Sequence, residues 1–107
     1  MRYNKAVRDN IPEIIHESRK EVKYRTCSNQ EFEEYLNRKL IEELGEYLES
    51  NDTMELVDLI EVIYGLIRVK GISESQFNLD REQKLKDKGG FLENKVLLEV
   101  NDPNEES

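Results

Sequence analysis

NQEFEEYLNRKLIEELGEYLES (residues 29–50) and TMELVDLIEVIYGLIRV (residues 53–69) are the stretches that decide the fold. The first has a large apolar residue every four positions, the spacing of an amphipathic helix: Phe32, Leu36, Leu40, Leu44 and Leu48. The second is apolar nearly all round, which is typical of a helix buried on several sides. Because only a short break at Asn51 and Asp52 separates the two stretches, we expect antiparallel neighbouring helices.

Shorter elements flank this helix pair. Asn10 and Pro12 predict a short helix that ends near Ser18, and capping boxes at residues 28–31 and 73–76 predict two further helix starts. The last helix is expected to end at Gly89-Gly90. Apolar residues alternate with charged ones over residues 21–26, and Val96, Leu98 and Val100 alternate in the second segment, which predicts a small two-stranded β element. The sequence does not fix whether these two strands pair.

The expected fold is therefore mainly α, an antiparallel helical bundle. One domain is expected over residues 1–100, followed by an acidic, disordered tail over residues 101–107. The helix over residues 53–69 is too apolar for a small monomer, so we expect a homo-oligomer, either a homodimer or a homotetramer.

Composition limits the classes of partner. The formal net charge is −8, with acidic residues spread along the chain, so no nucleic-acid partner is expected. No apolar run approaches the roughly 18 residues of a membrane helix, and the charged start at residues 1–5 does not predict a signal peptide. The single cysteine, Cys27, excludes an intramolecular disulfide and fits a reducing compartment, so the cytoplasm is the expected location.

Acidic residues three or four positions apart mark one face of each central helix. The first helix has Glu42, Glu43 and Glu46, and the second has Glu55, Asp58 and Glu61. In a chain with 24 acidic residues, such pairs are also common on solvated helix faces, and this interpretation stays open. On the second helix, however, the acids lie within the most apolar stretch, where a solvated face would be broader.

The antiparallel arrangement allows Glu43 and Glu46 to face Glu55 and Asp58. Carboxylates that lie this close repel one another, and a hard divalent cation removes the repulsion. Mg²⁺, or alternatively Mn²⁺, prefers oxygen ligands and can lower the pKa of a bound water, while a spare carboxylate can act as general base. The pattern therefore suits metal-assisted hydrolysis of a phosphate ester or anhydride.

Three motifs, in this order along the chain, resemble the MazG-like and phosphoribosyl-ATP pyrophosphohydrolase superfamily, the all-α NTP pyrophosphatases. The central one is KLIEELGE (residues 39–46) followed by ELVDLIE (residues 55–61), which is similar to the ExxE…ExxD signature. The opening YNKAVRDNIPEII (residues 3–15) and the late KLKDKGGF (residues 84–91) look like one small bacterial and phage branch. Together the motifs cover nearly the whole chain.

The resemblance implies an all-α NTP pyrophosphatase bundle that hydrolyses a nucleoside triphosphate to the monophosphate and pyrophosphate, with house-cleaning of non-standard nucleotides as a family role. It implies four magnesium ligands: Glu43, Glu46, Glu55 and Asp58. The resemblance assigns catalysis to Glu42 and Glu43, with Glu42 as an auxiliary ligand or the base for the attacking water. It also implies phosphate contacts from five basic residues: Lys5, Arg8, Lys39, Lys84 and Lys88.

The chain departs from the family pattern at Gly45 and Gly65, which lie inside helices, and at Lys88, where arginine is usual. Two alternatives stay open, one to the triphosphate as substrate and one to a catalytic function. The substrate could instead be phosphoribosyl-ATP, although the extra segments at both ends argue against it. The chain could also be a non-catalytic helical module that uses residues 56–69 for dimerisation or partner binding.

Overall fold

Four α-helices make up the regular structure of the computed structural model, which describes residues 1–103. They are α1 (Ile11–Glu17), α2 (Asn29–Ser50), α3 (Met54–Val69) and α4 (Glu74–Lys88). The prediction of a mainly helical fold is confirmed, and the observed bounds lie within a residue or two of the expected ones. None of the helices in residues 1–103 is both long enough and apolar enough to cross a bilayer.

The chain divides into two compact units, Met1–Phe77 and Asn78–Ser107, and the boundary between them lies within α4. The first unit contains α1, α2 and α3. The expectation of a single domain over residues 1–100 stays a prediction. Most of the tail expected at residues 101–107 lies outside the described residues, since the description ends at residue 103, and residues 101–103 are exposed.

Local hydrogen bonds fix both ends of α2 and the turn that precedes α3. Ser28 Oγ accepts a hydrogen bond from the Glu31 N–H at 3.1 Å, as the first capping box predicts. α2 ends at Asn51, which adopts the left-handed conformation with φ of 61° and donates its N–H to the Tyr47 carbonyl. Asp52 Oδ1 then accepts from the Met54 N–H at 2.9 Å. The chain thus reverses within residues 51–53.

α2 and α3 pack against each other as an antiparallel pair, and their buried core lies in the half farther from this loop. Their core consists of Leu36 and Val62 together with Ala6 from the N-terminal segment, each 5–7% exposed. Gly65 lies against Leu36, because a Cβ added at Gly65 would be 3.3 Å from Leu36 Cδ1. The glycine in α3 therefore allows close approach of the two helices, whereas a Cβ at Gly45 would meet nothing within 4 Å.

The prediction of a two-stranded β element is wrong, since residues 1–103 contain no strand. An alternating pattern forms a strand only where one face is covered and a neighbouring strand takes up the backbone hydrogen bonds. In the first segment Tyr24 is 67% exposed, and in the second Val96 and Leu98 are 78% and 90% exposed. These apolar side chains are therefore not covered within their own unit, although the sequence pattern predicts a covered face.

Candidate metal centre

Five carboxylates converge in the half of the α2–α3 pair that lies nearer the loop. Two groups of three residues each bring oxygen atoms to within 4.8 Å of one another. The first group is Glu42, Glu43 and Glu46, and the second is Glu43, Glu55 and Asp58. Glu43 belongs to both groups, so it links the acids of α2 to those of α3.

Helix geometry accounts for this convergence. Residues three and four positions apart lie on one helix face, and the three-residue loop makes that face of α2 oppose the matching face of α3. The structure thus places the four residues that the sequence predicts as metal ligands in two adjoining groups that share Glu43. Glu61, which extends the acidic stripe of α3, is exposed and belongs to neither group.

Glu43 is the most unusual member, because it is a carboxylate with only 6% of its surface exposed. One of its oxygens, Oε1, lies 3.2 Å from Lys39 Nζ. The other, Oε2, is buried and has no hydrogen-bond partner among the described residues. A buried carboxylate oxygen without a partner is costly, so this atom would be stabilised by a cation bound to it.

The carboxylates also disturb one another's ionisation. The pKa of Glu55 is raised from about 4.5 to about 7. The largest cause is partial burial. The next is the neighbouring Glu43 carboxylate, which would accept a hydrogen bond from Glu55 once Glu55 is protonated, and the charges of Glu46, Glu43 and Asp58 add to it. In the absence of a cation, full ionisation of the cluster is therefore opposed near neutral pH.

Three basic residues lie against these carboxylates. Lys5 Nζ donates to Glu42 Oε1 at 3.0 Å and Arg8 Nη2 donates to Asp58 Oδ1 at 2.8 Å. Lys39 Nζ lies 3.5 Å from Glu42 Oε1 in addition to its contact with Glu43. The hydrogen bond from Lys5 keeps the pKa of Glu42 below its usual range, and the same bond raises the pKa of Lys5.

These three residues were predicted to contact phosphate, and the structure brings them to the cluster as partners of its carboxylates. The pairing of Lys5 and Arg8 with acids on two different helices was not predicted. The buried Ala6 between them was also missed, and the only signal for it in the sequence is a small apolar residue flanked by basic ones. Lys84 and Lys88 are exposed on α4 in the second unit, and their phosphate contacts stay predictions.

The donor set fits a hard divalent cation. All five acidic side chains offer oxygen ligands, the type that Mg²⁺ and Mn²⁺ prefer. The five carboxylates outnumber their three basic partners by two, so the ion pairs leave formal negative charge uncompensated when the acids are ionised. Glu43, the residue common to both groups, is also the one with a buried oxygen, Oε2, that has no hydrogen-bond partner among the described residues.

Comparison with known proteins identifies no relative of this chain. No protein-family model, no curated protein and no solved structure matches the chain at a significant level.

Proposed function

We propose that this chain is a Mg²⁺-dependent nucleotide pyrophosphohydrolase of the MazG-like, all-α kind. The observation that carries the proposal is the convergence of five carboxylates around Glu43, whose buried Oε2 has no partner among the described residues. Exposed acidic groups alone are common without a metal, but a buried carboxylate oxygen without a hydrogen bond is not a solvated surface charge. The three motifs of the sequence supply the reaction class.

In this proposal Glu43, Glu46, Glu55 and Asp58 hold the metal. When bound, Mg²⁺ supplies a water of lowered pKa and neutralises charge on the phosphate oxygens. In the metal-free protein Glu42 is ionised beside Lys5 and Lys39, so it is available to accept the proton of the attacking water or to act as an auxiliary ligand. Lys39, with only 18% of its side chain exposed, is held beside Glu43 and can contact a phosphate there.

The proposed substrate is a nucleoside triphosphate cleaved between the α and β phosphates, and house-cleaning of non-standard nucleotides is the proposed role. Phosphoribosyl-ATP is the alternative substrate. We place the activity in the cytoplasm, because the single cysteine, Cys27, fits a reducing compartment.

We also propose that the protein is a homodimer or homotetramer. Of its large apolar residues, few are buried in the described part of the chain, and several on α2 and α3 are more than half exposed: Ile41, Leu48, Met54 and Ile60. A second copy of the same helix pair would cover such a surface. The same observation favours the second candidate function, a helical dimerisation module whose acidic stripe is incidental.

The deciding experiment is pyrophosphate release from a panel of canonical and modified nucleoside triphosphates, with and without Mg²⁺. It compares the wild type with Glu46→Gln and with Glu49→Gln, a matched control that removes an exposed acid one turn further along α2. We expect pyrophosphate release that depends on Mg²⁺. Glu46→Gln should lower its rate by more than roughly 10–100-fold, the loss that is typical when a residue hydrogen-bonded to a metal ligand is removed. Glu49→Gln should retain the activity.

Circular dichroism checks that both variants keep the helical fold. If no triphosphate is hydrolysed, phosphoribosyl-ATP is the next substrate to test. If that is also inert and calorimetry detects no Mg²⁺ binding, the helical interaction module is the better account.

A further inference from the structure

The N-terminal segment, residues 5–8, crosses the acidic cluster and is anchored there. Ala6 is only 5% exposed and belongs to the same core as Leu36 and Val62. On either side of it, Lys5 pairs with Glu42 of α2 and Arg8 pairs with Asp58 of α3. The backbone is therefore held by packing, while the two flanking side chains reach one helix each.

Both ion pairs use groups that belong to the candidate metal centre. Glu42 lies in the first group of three acids and Asp58 in the second. A carboxylate oxygen that accepts a hydrogen bond from lysine or arginine is less available to a metal, because both cations compete for the same charge and lone pairs. Metal binding at the centre thus competes with the N-terminal segment.

The ion pairs are easily exchanged. The side chains of Lys5 and Arg8 are 40% and 52% exposed, and exposed ion pairs contribute little to stability. Once released, both cations would remain beside the cluster, since Ala6 keeps the segment in place. A guanidinium in that position suits the oxygens of a phosphate chain, to which it can donate two hydrogen bonds.

We propose that Lys5 and Arg8 are exchangeable counter-ions that neutralise Glu42 and Asp58 in the metal-free protein and transfer to the phosphate oxygens of the substrate when Mg²⁺ binds. This inference rests on the proposed function, because it requires a metal at the cluster and a polyphosphate ligand. It makes the two ligands cooperative, since the metal frees the cations that the polyphosphate needs.

The test is a pair of calorimetric titrations on the full chain. It uses Arg8→Gln and, as matched control, Lys23→Gln, which removes the same charge from an exposed position. In a titration with Mg²⁺ alone, Arg8→Gln should bind about two- to fivefold more tightly than the control, the range expected for loss of one exposed ion pair. In a titration of tripolyphosphate in excess Mg²⁺, Arg8→Gln should bind roughly tenfold more weakly.

The outcomes separate this inference from the proposed function. If the wild type binds no divalent cation, both fall. If it binds Mg²⁺ but Arg8→Gln matches the control or binds more weakly, the metal centre stands and the exchange of counter-ions is overturned. An unchanged affinity for tripolyphosphate would equally overturn the exchange.

A second measurement avoids any mutation and applies if Arg8→Gln does not fold. NMR of the ¹⁵N-labelled wild type follows the guanidinium N–H resonances of Arg8, which the bond to Asp58 protects from exchange with solvent. We expect Mg²⁺ alone to broaden these resonances as that bond is lost, and added tripolyphosphate in excess Mg²⁺ to sharpen them again. Resonances of Arg8 that do not respond to Mg²⁺ would overturn the inference.

Discussion

The two halves of the α2–α3 pair use the same backbone geometry for opposite purposes. In the half farther from the loop, Leu36 packs against Gly65 and Val62. In the half nearer the loop, Glu43 lies beside Glu55 and Asp58. Leu36 and Glu43 are both only 6% exposed, yet burial stabilises the leucine and disfavours the charge of the glutamate. Packing in the half farther from the loop therefore fixes the helices in a register that brings the carboxylates of the other half close enough to repel one another.

Truncation of the packed half should have the largest effect on stability. We expect Leu36→Ala to lower the free energy of unfolding by about 2–5 kcal/mol, because it removes buried surface and leaves a cavity beside Gly65. Urea denaturation followed by circular dichroism measures this. Leu48→Ala, at a position that is 70% exposed on the same helix, is the control and should stay within about 0.5 kcal/mol.

Equal losses for the two variants would contradict the assignment of the core to the half farther from the loop. They would instead show that the exposed face of α2 is covered in solution.

Binding of Mg²⁺ should turn the acidic half from a destabilising into a stabilising part of the fold. At a Mg²⁺ concentration of about 100 times the dissociation constant, the free energy of unfolding should rise by about 2.7 kcal/mol, since the folded state alone presents the assembled ligands. Thermal denaturation of the wild type with and without Mg²⁺ measures the increase. Glu55→Gln should lose most of it, whereas Glu49→Gln should keep it; the same response in both variants would place the metal elsewhere.

The metal-free acidic half should respond to pH through Glu55. Its pKa in the folded state is about 7, above the ordinary value of about 4.5, so folding takes up protons between these limits. Stability from this group is therefore lost as the pH rises from about 4.5 to about 7. Compared with Glu55→Gln, the wild type should become less stable between pH 5 and pH 8 in urea denaturation without metal.

The comparison with Glu55→Gln also removes the contribution of Glu42, whose lowered pKa acts in the opposite direction and is present in both proteins. A wild type that gained stability over the variant toward pH 8 would show that Glu55 is ionised without penalty.

Substitution of the two helix glycines by alanine should have the smallest effect on stability, and its direction should differ between the two halves. Gly45→Ala should stabilise the fold by about 0.5–1 kcal/mol, because its Cβ meets nothing within 4 Å and alanine favours the helix. Gly65→Ala should be the less stable variant by about 1 kcal/mol or more, since its Cβ would press on the buried Leu36. Thermal denaturation of both variants decides this, and equal midpoints would contradict the close packing at Gly65.

The helices and the acidic cluster could be predicted from the sequence because both depend on local spacing. Leucines four positions apart gave α2, and acids at steps of three or four gave Glu43, Glu46, Glu55 and Asp58 on facing surfaces once the short loop was recognised. The close contact of Gly65 with α2 could not be predicted, since it depends on where Leu36 lies on that helix.

The partners of Lys5 and Arg8 and the absence of strands in residues 1–103 could not be obtained from the sequence for the same reason. The ion pairs join residues 37 and 50 positions apart, and no periodicity reports such contacts. The alternating apolar residues near Tyr24 and Leu98 indicate a tendency to form strands, but a strand needs a neighbour, which a local pattern does not supply.

The long sequence separation of these two ion pairs also orders the assembly of the molecule. Contacts between α2 and α3 close a loop of only three residues, so the helix pair can form early and quickly. The first eight residues, by contrast, are synthesised before any of their partners. Arg8 must wait for Asp58, 50 residues later, so we expect the N-terminal segment to dock after the helix pair has formed.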